Sequence, residues 1–282
     1  MFFEYLKNFD DYSLFSTAHI LYIIFCIAIA IILAIVLRKL NSKHQRIVGI
    51  VIASVVITLH IATQVWRAAS FADGRSKGII ESVAYLVMPN EILPFQLCSM
   101  LCFLIPICVM LNKQWMYNAL APICVIAGFL YFFFPDGIIN RYPPFSFRVL
   151  ESMLVHTAIL FYGIYLFTSK KVVFKLKNMR EVFASAAVLF GIAIIMNVII
   201  TNFDPNVDFF YMMKGFGLGL HPAVNAIIIA LVGTALFFAV YGICQLCYKL
   251  SAIYQEKKQQ RLAVAIEGNI TQEENNEKDN KK

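Results

Sequence analysis

Seven runs of apolar residues separated by short polar or turn-forming connections dominate the chain, near residues 17–37, 47–66, 92–111, 115–134, 151–168, 182–201 and 222–248. At about 1.5 Å of rise per residue, roughly 20 residues cross the ~30 Å of bilayer hydrocarbon as a helix. The pattern predicts an all-α polytopic membrane protein, a seven-helix bundle over 1–250. A cytoplasmic tail at 251–282 follows, and its Glu, Asn and Lys content from about residue 267 reads as disorder. The first run follows Glu4, Asp10 and Asp11 and lacks a small-residue cleavage site, so it reads as a retained helix rather than a secretory signal.

Polar positions inside these runs are few, and they are not scattered. Four of the five histidines, His19, His60, His156 and His221, fall near the same end of four different runs. Cys98 in the third run and Asn197 in the sixth reach the same layer. Ionisable groups are costly in a bilayer and lipid satisfies no hydrogen bond, so such side chains are expected to turn inward and line a shared cavity. The most distinctive local stretch is Leu93-Pro94-Phe95-Gln96-Leu97-Cys98-Ser99-Met100. Pro94 suits a helix's first turn, Gln96, Cys98 and Ser99 bring polar groups into the opening turns, and Cys102 lies one turn below Cys98. Pro106 and Pro122 each remove a helical hydrogen bond from their runs. In the connections, Arg141-Tyr142-Pro143-Pro144 sets a cation beside turn residues, where it can meet a phosphate.

Composition agrees with this picture, at 60% apolar, 15% charged and 25 phenylalanines. The net charge of +7 comes from connections. Fourteen Lys and Arg lie close behind the first, third, fifth and seventh runs, before the three tail lysines Lys278, Lys281 and Lys282, against seven at the other end, so the positive-inside rule puts the amino terminus outside and the carboxyl terminus in the cytoplasm. The asymmetry removes any reason to invoke nucleic acid; anionic lipid headgroups are the expected partners. Cys26, Cys108 and Cys124 read as small buried apolar residues, and Cys244-x-x-Cys247 ends the last run. The absence of an obvious internal repeat argues against an inverted-repeat transporter.

Three chemistries fit the polar layer. Several neutral imidazoles with a thiolate could bind a metal or haem, although no close histidine spacing such as His-x-x-x-His supports this and no metal ligands are assigned. Cys98 paired with His156 as base could attack an ester and hold its acyl group as a thioester, with His19, His60 and Gln96 polarising or orienting the ester, Asn197 donating to the oxyanion, and Arg141 and His221 completing the substrate-binding set. The same groups could instead only bind or carry a ligand.

The chain also resembles the YwaF-type family of bacterial multi-pass membrane proteins, through Phe15-Ser16-Thr17-Ala18-His19, the Leu-Pro-x-x-Leu-Cys stretch at 93–98, His156, Asn197 and Thr201-Asn202-Phe203. The resemblance implies a seven-helix bundle in the bacterial plasma membrane, similar to vertebrate membrane proteins described as acyltransferases that remodel ether phospholipids. It implies no particular cofactor. Where many bacterial members carry histidine this chain has Gln96, and the vertebrate cysteine matches Phe95 rather than Cys98. The leading expectation is a membrane-embedded acyl-lipid transferase or hydrolase acting on phospholipid, with Cys98 and His156 catalytic. The alternative is a non-enzymatic binder or transporter.

Overall fold

The computed structural model describes residues 13–76, 93–135, 138, 142–202, 207–213 and 220–279. Among them are seven α-helices: α1 (Thr17–Leu37), α2 (Ser42–Ser76), α3 (Leu97–Leu111), α4 (Gln114–Phe133), α5 (Phe147–Thr168), α6 (Met179–Thr201) and α7 (Pro222–Asp279). Short 3₁₀ turns sit at Leu176–Asn178 and Phe209–Tyr211. Six helices are long and apolar enough to cross a membrane; α3, with 15 residues, is shorter. The start predicted near 92 moves to 97 because Leu93–Gln96 form a turn, with Gln96 as an extended N-cap and Pro94 outside the helix.

Other boundaries follow from capping chemistry. Ser16 caps α1 by accepting from the His19 amide, and Ser146 caps α5 by accepting from the Val149 amide. The Ser146 cap starts α5 four residues before the apolar run does, bringing Arg148 onto the helix. At the end of α3, Asn112 turns left-handed (φ 49°) and its N–H bonds the Cys108 carbonyl. The contacts divide the chain into units Met1–Val240 and Tyr241–Lys282. In the second unit the helix continues to Asp279, through the stretch that composition reads as disordered. That stretch is polar but rich in good helix formers such as Glu, Gln and Lys.

Within the first unit, α5 is the central element. Of its 18-residue membrane window 83% is buried, and of that of α4 67%, against 17–22% for the other four long helices. α5 packs on α4, α1 and α2, while α3 lies against α2 and α4, and α6 against α4. Inside a bilayer there is little hydrophobic drive between helices, so close backbone approach and interhelical hydrogen bonds must supply the attraction. The sequence provides for this with small residues. A Cβ on Gly128 of α4 would stand 2.8 Å from the Leu160 amide nitrogen, and one on Gly163 of α5 would stand 2.8 Å from the Val125 amide nitrogen and 2.9 Å from the Ala121 carbonyl oxygen. On α1, Cys26, Ala30 and Ala34 form a buried stripe one residue per turn, and the Thr168 hydroxyl of α5 donates to the Ala34 carbonyl at 3.2 Å.

The lysine-rich end of the bundle is tied by side chains. Glu181 of α6 accepts from Asn118 of α4 at 2.7 Å and from Asn178 at 3.5 Å, while Gln114 donates to Asn118 at 3.0 Å and to the Lys171 carbonyl at 2.9 Å.

Because both glycines face backbone, Gly163→Ala and Gly128→Ala are expected to lower stability by about 1–3 kcal/mol through overpacking. Gly191→Ala, with nothing within 4 Å of the added methyl group, is expected to lose none. Thermal unfolding of the purified variants followed by circular dichroism checks this, and equal losses at Gly163 and Gly191 would refute the backbone contact.

Candidate functional site

The functional site is best sought among the histidines, because a ring nitrogen with no partner inside the bundle is chemically available. His156 lies on α5 with its Nδ1 2.7 Å from the Ser152 carbonyl oxygen. A carbonyl only accepts, so Nδ1 carries the proton and Nε2 of the neutral ring presents a lone pair. That Nε2 is buried and has no hydrogen-bond partner among the described residues. The Tyr131 ring from α4 stacks on the imidazole with centroids 3.3 Å apart and planes 8° from parallel. The Tyr131 hydroxyl in turn bonds the Ser152 hydroxyl at 2.5 Å.

Arg148, Glu151, Ser152 and His156 follow one another at helical spacing on the same side of α5. Arg148 and Glu151 form an ion pair at 2.5 Å, with the carboxylate side chain 5% exposed. Pairing is what makes two charges tolerable at this depth. The guanidinium lies within electrostatic reach of His156, Tyr131 and His60. Arg148 precedes the apolar run at 151–168 and so lies outside the span that hydropathy alone predicts. Once Ser146 caps a helix that starts at Phe147, the spacing 148, 151, 152, 156 places these four residues on one face.

The other expected site residues prove to have separate tasks. His19 is fully buried with both ring nitrogens used: Nε2 donates to the Phe132 carbonyl at 3.0 Å and Nδ1 accepts from the Phe15 amide at 2.9 Å. It bolts the start of α1 to the end of α4, in the tautomer opposite to that of His156. His60 is half-buried on α2, edge-on to Phe103 of α3 at 5.3 Å, with Arg67 as well as Arg148 in electrostatic reach. His221 is exposed at the start of α7, where its carbonyl accepts from the Val224 and Asn225 amides and its Nδ1 from the Ala223 amide. It acts there as a cap. Arg141 lies outside the described residues.

Gln96 and Asn197 share one task, on the turn at 208–210. Asn197 donates to the Phe209 carbonyl at 2.9 Å and accepts from the Phe209 amide at 2.8 Å. Gln96 donates to the Asp208 carbonyl and accepts from the Phe210 amide, both at 3.0 Å. Four consecutive backbone groups are thus matched by two carboxamides, as buried backbone outside an α-helix requires. The clamp also holds Phe210 and Tyr211 at positive φ (58° and 57°), which costs about 1–3 kcal/mol each.

Cys98 points its thiol toward the Ala127 carbonyl at 4.0 Å, one helical turn from Tyr131, and no hydrogen bond joins it to His156. Cys102 donates to the Cys98 carbonyl at 3.3 Å. Among the described residues no three of His, Cys, Asp and Glu gather as a metal-binding set. Among the described contacts, His156 meets Tyr131 and Ser152, His19 meets Phe132 and Phe15, and Gln96 and Asn197 meet at 208–210, while His60, Cys98 and His221 have other neighbours.

These features define a polytopic α-helical membrane protein with a buried polar unit toward the histidine-bearing end of its bundle. The sequence model of the TMEM164 family, a multi-pass membrane family, matches residues 14–241, and the chain belongs to that family. No curated protein and no solved structure matches it.

Losing either carboxamide leaves buried backbone groups unmatched. Asn197→Ala and Gln96→Ala are each expected to cost about 1–3 kcal/mol and lower the unfolding temperature. Their effects are expected to be non-additive, because both hold one segment. Unchanged melting in both single variants would show that the clamp carries no weight.

Proposed function

We propose that the protein is a membrane-embedded acyl-lipid transferase or hydrolase with His156 as its general base. The supporting observation is the Nε2 lone pair of His156, buried, oriented by two neighbours and without a partner among the described residues. An unmatched buried acceptor costs about 1–3 kcal/mol, so its persistence fits a group kept open for chemistry.

In the reaction, Nε2 takes the proton of an incoming hydroxyl, from an acceptor alcohol in transfer or from water in hydrolysis. The hydroxyl oxygen bonds the ester carbonyl carbon, the ester C–O bond breaks, and the departing alkoxide oxygen receives the proton from the imidazolium. This route assigns the attack to the hydroxyl rather than to Cys98, whose thiol is turned toward Ala127. The substrate class is membrane phospholipid, in keeping with the resemblance to YwaF-type and vertebrate remodelling proteins. His60, His221 and Arg141 are assigned to the headgroup side, whereas His19, Gln96 and Asn197 act by holding the bundle in shape. The lysine-rich end faces the cytoplasm of a bacterial plasma membrane and the amino terminus lies outside, a placement supported by the uneven distribution of Lys and Arg.

Purified protein in nanodiscs, given a phospholipid with a fluorescent acyl chain and a lysophospholipid acceptor, is expected to move or release the label. His156→Gln is expected to slow this by about 10²–10⁴-fold. An acyl group found on Cys98 by mass spectrometry would replace the direct route with the thioester route. Thermal stabilisation by lipid with no product would replace the enzyme with a binder.

A further inference from the structure

The unit around His156 contains two residues that the reading above does not use, Tyr131 and Ser152. Ser152 serves both rings at once, its carbonyl receiving the His156 Nδ1–H at 2.7 Å and its hydroxyl meeting the Tyr131 hydroxyl at 2.5 Å. Tyr131 then covers one face of the imidazole at 3.3 Å. A histidine on a helix has two side-chain torsions and two neutral tautomers to choose among. The Ser152 carbonyl selects a tautomer only while the ring lies in the plane where Nδ1 reaches it. The stack enforces that plane, because rotation of the imidazole about its second torsion would drive its edge into the tyrosine ring.

We infer that Tyr131 is a positioning residue, locked by the Ser152 hydroxyl, whose stacked ring holds His156 in the Nδ1–H tautomer and so keeps its Nε2 lone pair available. The inference deepens the general-base reading, since a base whose lone pair sits on the wrong nitrogen takes no proton from substrate. Its experimental signature, however, does not depend on turnover. The two aromatic groups come from different helices, so the device exists only when α4 and α5 are packed in register. Tyr131 acts through His156 and is not itself assigned a contact with substrate. His19 provides an internal comparison within the same protein: its ring is fixed in the other tautomer by a carbonyl on Nε2 and an amide on Nδ1.

The test is nitrogen NMR of full-length protein, labelled with ¹⁵N-histidine and reconstituted in bilayers, with the His156 signals identified by their loss in His156→Gln. Wild type is expected to show His156 protonated at Nδ1 and bare at Nε2, and His19 the reverse. Tyr131→Leu is expected to give both His156 tautomers, while Tyr131→Phe, which keeps the stack, retains one. If Tyr131→Leu does not accumulate as folded protein, Tyr131→Met removes the ring at similar volume and gives the same readout. A wild-type His156 protonated at Nε2 would overturn the inference, as would identical His156 signals in wild type and in the ring-less variant. A correct tautomer pattern in a protein that turns over no lipid would leave the positioning role standing and remove the acyl-lipid reading.

Discussion

The close backbone contact between α4 and α5 is the constraint on which the rest of the bundle depends. Gly128 lies against Leu160 and Gly163 against Val125, each too near to admit a methyl group. In a medium where apolar side chains gain little by leaving lipid, such contact is what holds helices together. It also fixes their register. With the helices antiparallel and position 128 facing 160, Tyr131, three residues further along α4, meets His156, one turn back on α5. The stack and the tautomer it imposes are therefore consequences of two glycines that carry no chemistry of their own. α1 completes the packing through a stripe of equally small residues, Cys26, Ala30 and Ala34, and is fastened at its two ends by His19 and by Thr168 of α5.

A second constraint follows from the first. A core with little water has to satisfy its own polar groups, and most of the polar side chains in the histidine-bearing layer do just that. His19 saturates both ring nitrogens with backbone groups. Gln96 and Asn197 act as two short surrogates for a β-partner along Asp208–Phe210. At the opposite end Asn118 and Asn178 donate to Glu181, and Gln114 donates to Asn118 in turn. None of these groups can take part in chemistry without first giving up a bond that holds the bundle.

The apolar pattern revealed the helices well, because crossing hydrocarbon demands length and apolarity that composition displays directly. Errors fell where a cap or turn, not hydropathy, sets the boundary. Ser146 begins α5 ahead of its apolar run, and Pro94 with Gln96 delays α3. The depth of the polar layer was legible too, but not the tasks of its members. Whether His19 is a ligand or a bolt depends on the Phe132 carbonyl, 113 residues away, and whether Gln96 faces a substrate or a turn depends on Asp208, 112 residues away. No local spacing encodes those meetings. Tyr131 and Ser152 carry no sequence signal for the same reason, since a tyrosine near a helix end and a serine inside a helix are ordinary until the register of α4 on α5 brings them to one histidine.

The contrast between His19 and His156 carries the argument to its last step. Both are buried histidines in membrane helices, and each has one ring nitrogen bonded to a backbone carbonyl. In His19 the remaining nitrogen is also matched, which is the arrangement expected of a side chain kept for stability alone. In His156 the remaining nitrogen has no hydrogen-bond partner among the described residues, although a neighbour as small as a hydroxyl would suffice. The unit thus bonds the Ser152 hydroxyl to Tyr131, the residue that stacks on the imidazole, while the Nε2 acceptor stays open among the described residues. A stability role alone would be better served by the opposite arrangement.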